Sequence, residues 1–107
     1  MGGYATVWEF RIRGDRRAEF ERHYGPEGTW VALFRRADGY VGTQLLHDRS
    51  ESLRYLTIDR WKSIEDYRAF RERFAEPYAS LDQSCEVLTT RDVVSLDVCG
   101  NAHDSTK

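Results

Sequence analysis

Side chains able to do chemistry are sparse in this sequence, and their neighbours decide what each could do. Asp59 stands in the run Tyr55-Leu56-Thr57-Ile58-Asp59-Arg60-Trp61, an acid on a strand-like segment between Ile58 and the Trp61 side. Burial of such a carboxylate is expected, and a buried carboxylate needs partners. Asp59 is therefore either paired with Arg54, Arg60 or a helix arginine, or it is a general base. His47 ends another strand-like run beside Asp48, where an imidazole could act as base or ligand or simply face water. Histidines at 23, 47 and 103 show no metal-ligand spacing, so no metal site is expected. Cys85 and Cys99 form no CxxC pair and read as reduced thiols. There is no glycine-rich phosphate loop and no GxSxG elbow, which leaves nucleotide and hydrolase readings without support.

The elements that must position these groups belong to a short chain. Its 107 residues hold fourteen aromatics (three Trp, six Tyr, five Phe), enough for a packed core in one domain, expected over residues 4–99 with a loose tail at 100–107. The net charge is −2, and the basic residues, nearly all Arg, are interleaved with acids. That balance argues against nucleic-acid binding, which shows a basic excess. No apolar run approaches the ~20 residues that span a bilayer. No basic and apolar leader is evident at the start, so a cytoplasmic location is expected.

Alternation and helical spacing give the order β-α-β-β-α-β. Tyr4 to Arg13 reads as a strand, with Trp8, Phe10 and Ile12 on one face. Helical pieces follow at Arg16 to Tyr24 and Gly28 to Ala37, split by Gly25-Pro26. Tyr40 to His47 is a second strand, with Tyr40, Gln44 and Leu46 on one side and Val41, Thr43, Leu45 and His47 on the other. Arg54 to Trp61 is the third, carrying Tyr55, Thr57, Asp59 and Trp61 together. Ser63 and Asp66 resemble a capping box before the stripe Ile64, Tyr67, Phe70 and Phe74. Pro77 restarts the helix, Leu81, Cys85 and Leu88 continue its spacing, and Asp92 to Cys99 is the last strand. The expected fold is α+β, a ferredoxin-like plait with a four-stranded antiparallel sheet and strands one and three in its centre.

Helices can cover only one face of such a sheet, yet both faces are apolar. Trp8 and Phe10 are candidates for the face that helices leave open, with Val94, Leu96 and Val98 of the last strand opposite Val93. A second copy of the chain, in a homodimer through the open sheet face, is the simplest cover.

This order of elements, the strand-end segment Asp59-Arg60-Trp61-Lys62-Ser63, and the helix opening Ser63-Ile64-Glu65-Asp66-Tyr67 resemble the antibiotic biosynthesis monooxygenase family. Gly39 to Leu46 and Tyr55 to Trp61 are similar to the same group. The resemblance covers roughly Tyr4 to Val98 and implies a dimeric α/β barrel with a pocket between the sheet and its helices. The family includes cofactor-free oxidases of polyketide-type quinols, haem-degrading oxygenases, and proteins without known activity. The haem-degrading branch holds iron with a histidine on the helix after the tryptophan strand. Ile64 to Ala75 contains none, so that branch is disfavoured and no cofactor is expected.

For a cofactor-free oxygenase, the protein must hold a phenol or quinol, favour its anion and keep water from the radical pair. Trp61 is matched to the family's strand-end tryptophan, and with Asp59 and His47, read from the residues themselves, it makes up the catalytic candidates. Trp30, Phe34, Tyr40, Gln44, Tyr67 and Phe70 are the substrate-binding ones. The expected activity is a cofactor-independent monooxygenase acting on a small aromatic or quinol-like substrate. The alternative is a small-molecule-binding protein of the same dimeric fold that performs no reaction, and a third is an assembly subunit whose aromatics are only core.

Overall fold

A computed structural model describes residues 3–90 and 94–99. The elements are β1 (Tyr4–Arg11), α1 (Arg17–Tyr24), α2 (Thr29–Phe34), β2 (Tyr40–His47), β3 (Arg54–Trp61), α3 (Ile64–Arg73), α4 (Ala75–Cys85) and β4 (Val94–Cys99). All strand pairs are antiparallel, in the order β2-β3-β1-β4, so β1 and β3 lie in the centre as the sequence suggests. β1 ends two residues sooner than its alternation implies. Ile12 continues only as an isolated bridge to Thr89, and a 3-10 turn at Gly14–Arg16 leads into α1. Asp92, Val93 and the tail at 100–107, with His103, fall outside the described residues.

Alternation on the two central strands builds the inner face. β3 buries Tyr55, Thr57, Asp59 and Trp61, and β1 buries Tyr4, Thr6 and Phe10, with Ile12 just beyond. The four helices pack over that face. The Ser63 hydroxyl caps α3 by accepting from the Asp66 N–H at 3.0 Å. Pro77 lies in the first turn of α4, where a backbone N–H has no partner to lose. Gly39 adopts φ +89° in the turn into β2, where a Cβ would come within 2.4 Å of the Asp66 carboxylate.

Two strand faces differ from the simple alternation. In β2, Tyr40 pairs with Trp61 and Gly42 with Arg60, so Val41 is an extra residue in a bulge. The bulge turns Tyr40 to the inner side with Thr43, away from Gln44. In β1, Trp8 and Phe10 lie under the helices, not on the open face. The open face is formed instead by Ala5, Val7, Leu56 and Ile58, extended by Val94, Leu96 and Val98, which are 57%, 54% and 49% exposed. Among the described residues nothing covers it, and such a patch is unusual for a surface in water.

Candidate active site

The layer between sheet and helices is filled at one end and hollow at the other. At the filled end Trp61, 1% exposed, meets Phe34, Tyr40, Tyr67 and Phe70 at ring-centroid distances of 5.1–5.7 Å. At the hollow end lies a cavity of about 360 Å³. Its aromatic walls are Trp8, Phe10, Tyr24, Trp30, Phe34 and Tyr78. Thr43, Thr57 and Asp59 enter it from the sheet, and Asp82, Cys85, Glu86 and Thr89 from α4 and the segment after it. Thr43 also borders a groove on the other side, beside Tyr40 and Arg35.

Asp59 is the buried carboxylate of this cavity, at 5% exposure. Its Oδ1 accepts from the Thr43 hydroxyl at 2.7 Å and its Oδ2 from the Thr6 hydroxyl at 3.4 Å. Register explains the second contact, because Thr6 sits directly across from Asp59 on β1. With its proton given to Asp59, the Thr43 oxygen accepts from the Tyr40 hydroxyl at 2.6 Å, a chain Tyr40–Thr43–Asp59. The arginine partner open to Asp59 in the sequence is not found: no ion pair reaches it among the described residues. Arg54 turns to Glu9 and Asp48, and Arg60 to Gln44. Burial therefore dominates and pushes the Asp59 carboxyl up to about 6, against the pull of the two hydroxyls. Burial likewise raises the phenols of Tyr24 and Tyr78 and the thiol of Cys85.

The candidate residues separate into groups. Asp59, Trp30 and Phe34 line the cavity. Tyr40 reaches it only through Thr43. Trp61, Tyr67 and Phe70 belong to the filled end, with Phe34 between the two regions. Gln44 bonds Arg60 on the exposed side of the sheet. His47 is exposed, stacked on Tyr55 at 4.3 Å, with its Nε2 against the Ser52 carbonyl oxygen and Arg17. The indole N–H groups of Trp30 and Trp61 are buried without a hydrogen-bond partner among the described residues. Sequence reasoning passed over Thr6, Thr43 and Thr57 beside the acid, the walls Trp8, Tyr24 and Tyr78, and Asp82 and Glu86. A visible signal for two of the threonines was their alternation with aromatics on the inward faces of the central strands.

The family profile described as antibiotic biosynthesis monooxygenase matches residues 3–75, more than half of the chain, and the protein belongs to that family. No curated protein matches the sequence. Among solved structures, a Nitrosomonas europaea protein assigned to this family superposes with a TM-score of 0.71 at 14% identity, covering 94% of this chain and 91% of the other. PA3566 from Pseudomonas aeruginosa gives a TM-score of 0.68 at 16% identity, with 95% and 97% covered. SnoaB, a cofactor-independent oxygenase from Streptomyces nogalater, gives 0.66 at 21% identity, with 98% and 97% covered. At these identities the likeness is one of fold. No helix among the described residues is long and apolar enough to cross a membrane.

Proposed function

We propose that the protein is a cofactor-independent monooxygenase that oxidises a small phenol or quinol in the cavity beside Asp59. The observation carrying this reading is a carboxylate that is 5% exposed, without a cationic partner among the described residues, at the wall of a 360 Å³ aromatic cavity. Raised to about 6, Asp59 is ionised at neutral pH yet a stronger base than an ordinary aspartate. It takes the proton of the bound hydroxyl. The arenolate then gives one electron to O₂, the radical pair joins as a carbon–oxygen bond, and the peroxide loses water to leave a quinone. For a phenol with a para C–H the balance is one substrate and one O₂ to one quinone and one H₂O, with the substrate as reductant. The aromatic walls keep water from the radical pair. Trp61, two residues along β3 on the same face, holds the strand end that carries Asp59 in position. Membership of a family that includes oxygenases supports this, as does likeness in fold to SnoaB.

The second part of the proposal is a homodimer through the open sheet face, supported by the exposed row Val94, Leu96 and Val98 beside Val7 and Ile58. Leu96→Asp is expected to give monomers in sedimentation at micromolar concentration; a monomeric parent protein would end the idea. For the reaction, oxygen uptake with reduced quinols is expected from the parent protein and not from Asp59→Asn, while both bind the quinol anaerobically. Binding without oxygen uptake in the parent would leave the non-catalytic ligand carrier as the function.

A further inference from the structure

Helix α4 and the 3-10 turn that follows it at Glu86–Leu88 turn unexpected residue types toward the cavity. Tyr78, Asp82, Cys85 and Glu86 follow helical spacing, and all four line it. A helix that only packed would place apolar groups there, but two of these are carboxylates, exposed at the cavity mouth. Asp59 puts a third carboxylate at the buried end, held by hydroxyls and not by a cation. Among the described residues no Arg, Lys or His lines the cavity, and no ion pair reaches Asp59, Asp82 or Glu86. Arg71, stacked on Tyr78 at 3.9 Å, gives its N–H to the Tyr67 hydroxyl and lies within reach of the Asp82 charge, but it does not line the cavity. The Trp30 ring, which also lines the cavity, meets Tyr78 at 5.1 Å and Tyr24 at 6.0 Å, so aromatic surface accompanies the acids. Like charge at both ends disfavours an anion, while carboxylates next to aromatic faces are what an organic ammonium group meets well.

We propose that the ligand is a hydroxyarene bearing a protonated amine, its hydroxyl at Asp59 and its ammonium group against Tyr78, Asp82 and Glu86. Only the placement of the hydroxyl rests on the oxygenase reading; the charge preference stands on the cavity itself. The family profile ends at Ala75, so the acidic mouth lies outside the matched segment.

The test uses three catechols of similar size, bearing an aminoethyl, an ethyl or a propanoate group. Binding is read anaerobically at neutral pH by quenching of tryptophan fluorescence, with Trp8 and Trp30 at the cavity wall. The aminoethyl compound is expected to bind best and the propanoate worst, roughly tenfold apart. In the double variant Asp82→Asn, Glu86→Gln, the aminoethyl compound falls to the affinity of the ethyl compound, which is unchanged. Both positions are exposed, and circular dichroism verifies the fold. Equal affinities across the series, or an unchanged ranking in the double variant, overturn the assignment. Oxygen uptake is measured separately: the ranking without turnover removes the oxygenase reading alone, and turnover without the ranking removes this inference alone.

Discussion

Asp59 and Trp61 lie two residues apart on one strand, point to the same face and are almost equally buried, yet they stand in two different kinds of interior. Around Trp61 the aromatic rings of α2, α3 and β2 close on one another and leave no room. Around Asp59 the neighbours are threonines on β1, β2 and β3, whose short side chains do not fill the space beneath the helices and leave a cavity. The same sheet thus makes a solid anchor and a hollow site. Side-chain volume at inward positions decides which, and burial alone does not.

That contrast is broken most severely by emptying the filled end. Trp61→Ala is expected to lose about 3–5 kcal/mol of stability, because four rings collapse poorly around the gap. Trp8→Ala at the cavity wall, where the indole is only partly buried, is expected to lose less than half of that. Urea unfolding of both variants gives the comparison; equal losses would show that the two ends are packed alike.

Replacing the buried acid has the opposite sign. Asp59 is raised from 3.8 to about 6 in the folded protein, so the unfolded chain releases this proton at lower pH. Below about pH 4 the group is protonated in both states and leaves stability unchanged. Between about 4 and 6 stability falls as pH rises, and above that the loss stays near roughly 3 kcal/mol. Asp59→Asn is therefore expected to be more stable than the parent at pH 7 and to lose this part of the slope, while oxygen uptake is abolished. In the parent protein, uptake rises with pH through about 6. A variant that is less stable at pH 7 would mean that the carboxylate has a cationic partner.

How much of this was legible in the sequence depends on which physical rule sets each feature. The central place of β1 and β3 followed from the β-α-β-β-α-β order and right-handed crossovers, and the inward placement of Asp59 from period-two alternation on β3, which the structure keeps without a break. Tyr40 was misplaced because alternation does not register the extra residue at Val41, and one residue reverses a face. The open face was anticipated, but Trp8 and Phe10 were candidates for it on apolarity alone, which does not say which side the helices choose. Asp82 and Glu86 were passed over because only the apolar stripe of this segment was traced, through Leu81, Cys85 and Leu88. A pocket between sheet and helices was implied by the family resemblance, but no local pattern marked its place, since a void is set by what neighbouring elements fail to fill.

The smallest change separates the two hydroxyls that hold the acid. Thr43 donates at 2.7 Å and Thr6 at 3.4 Å, and both bonds favour the charged carboxylate. Removing either raises the Asp59 pKa further, and the shorter bond matters more. Thr43→Val is expected to move the rising limb of the pH–rate profile up by about one unit, the worth of one such hydrogen bond. Thr6→Val moves it by less than half of that. Valine at 43 also leaves the Tyr40 hydroxyl without its acceptor, so Thr43→Ser supplies the control. Serine restores both bonds and is expected to return the limb to its place. If neither Thr43→Val nor Thr6→Val shifts the profile, the titrating group is not Asp59, and the hollow end loses its base.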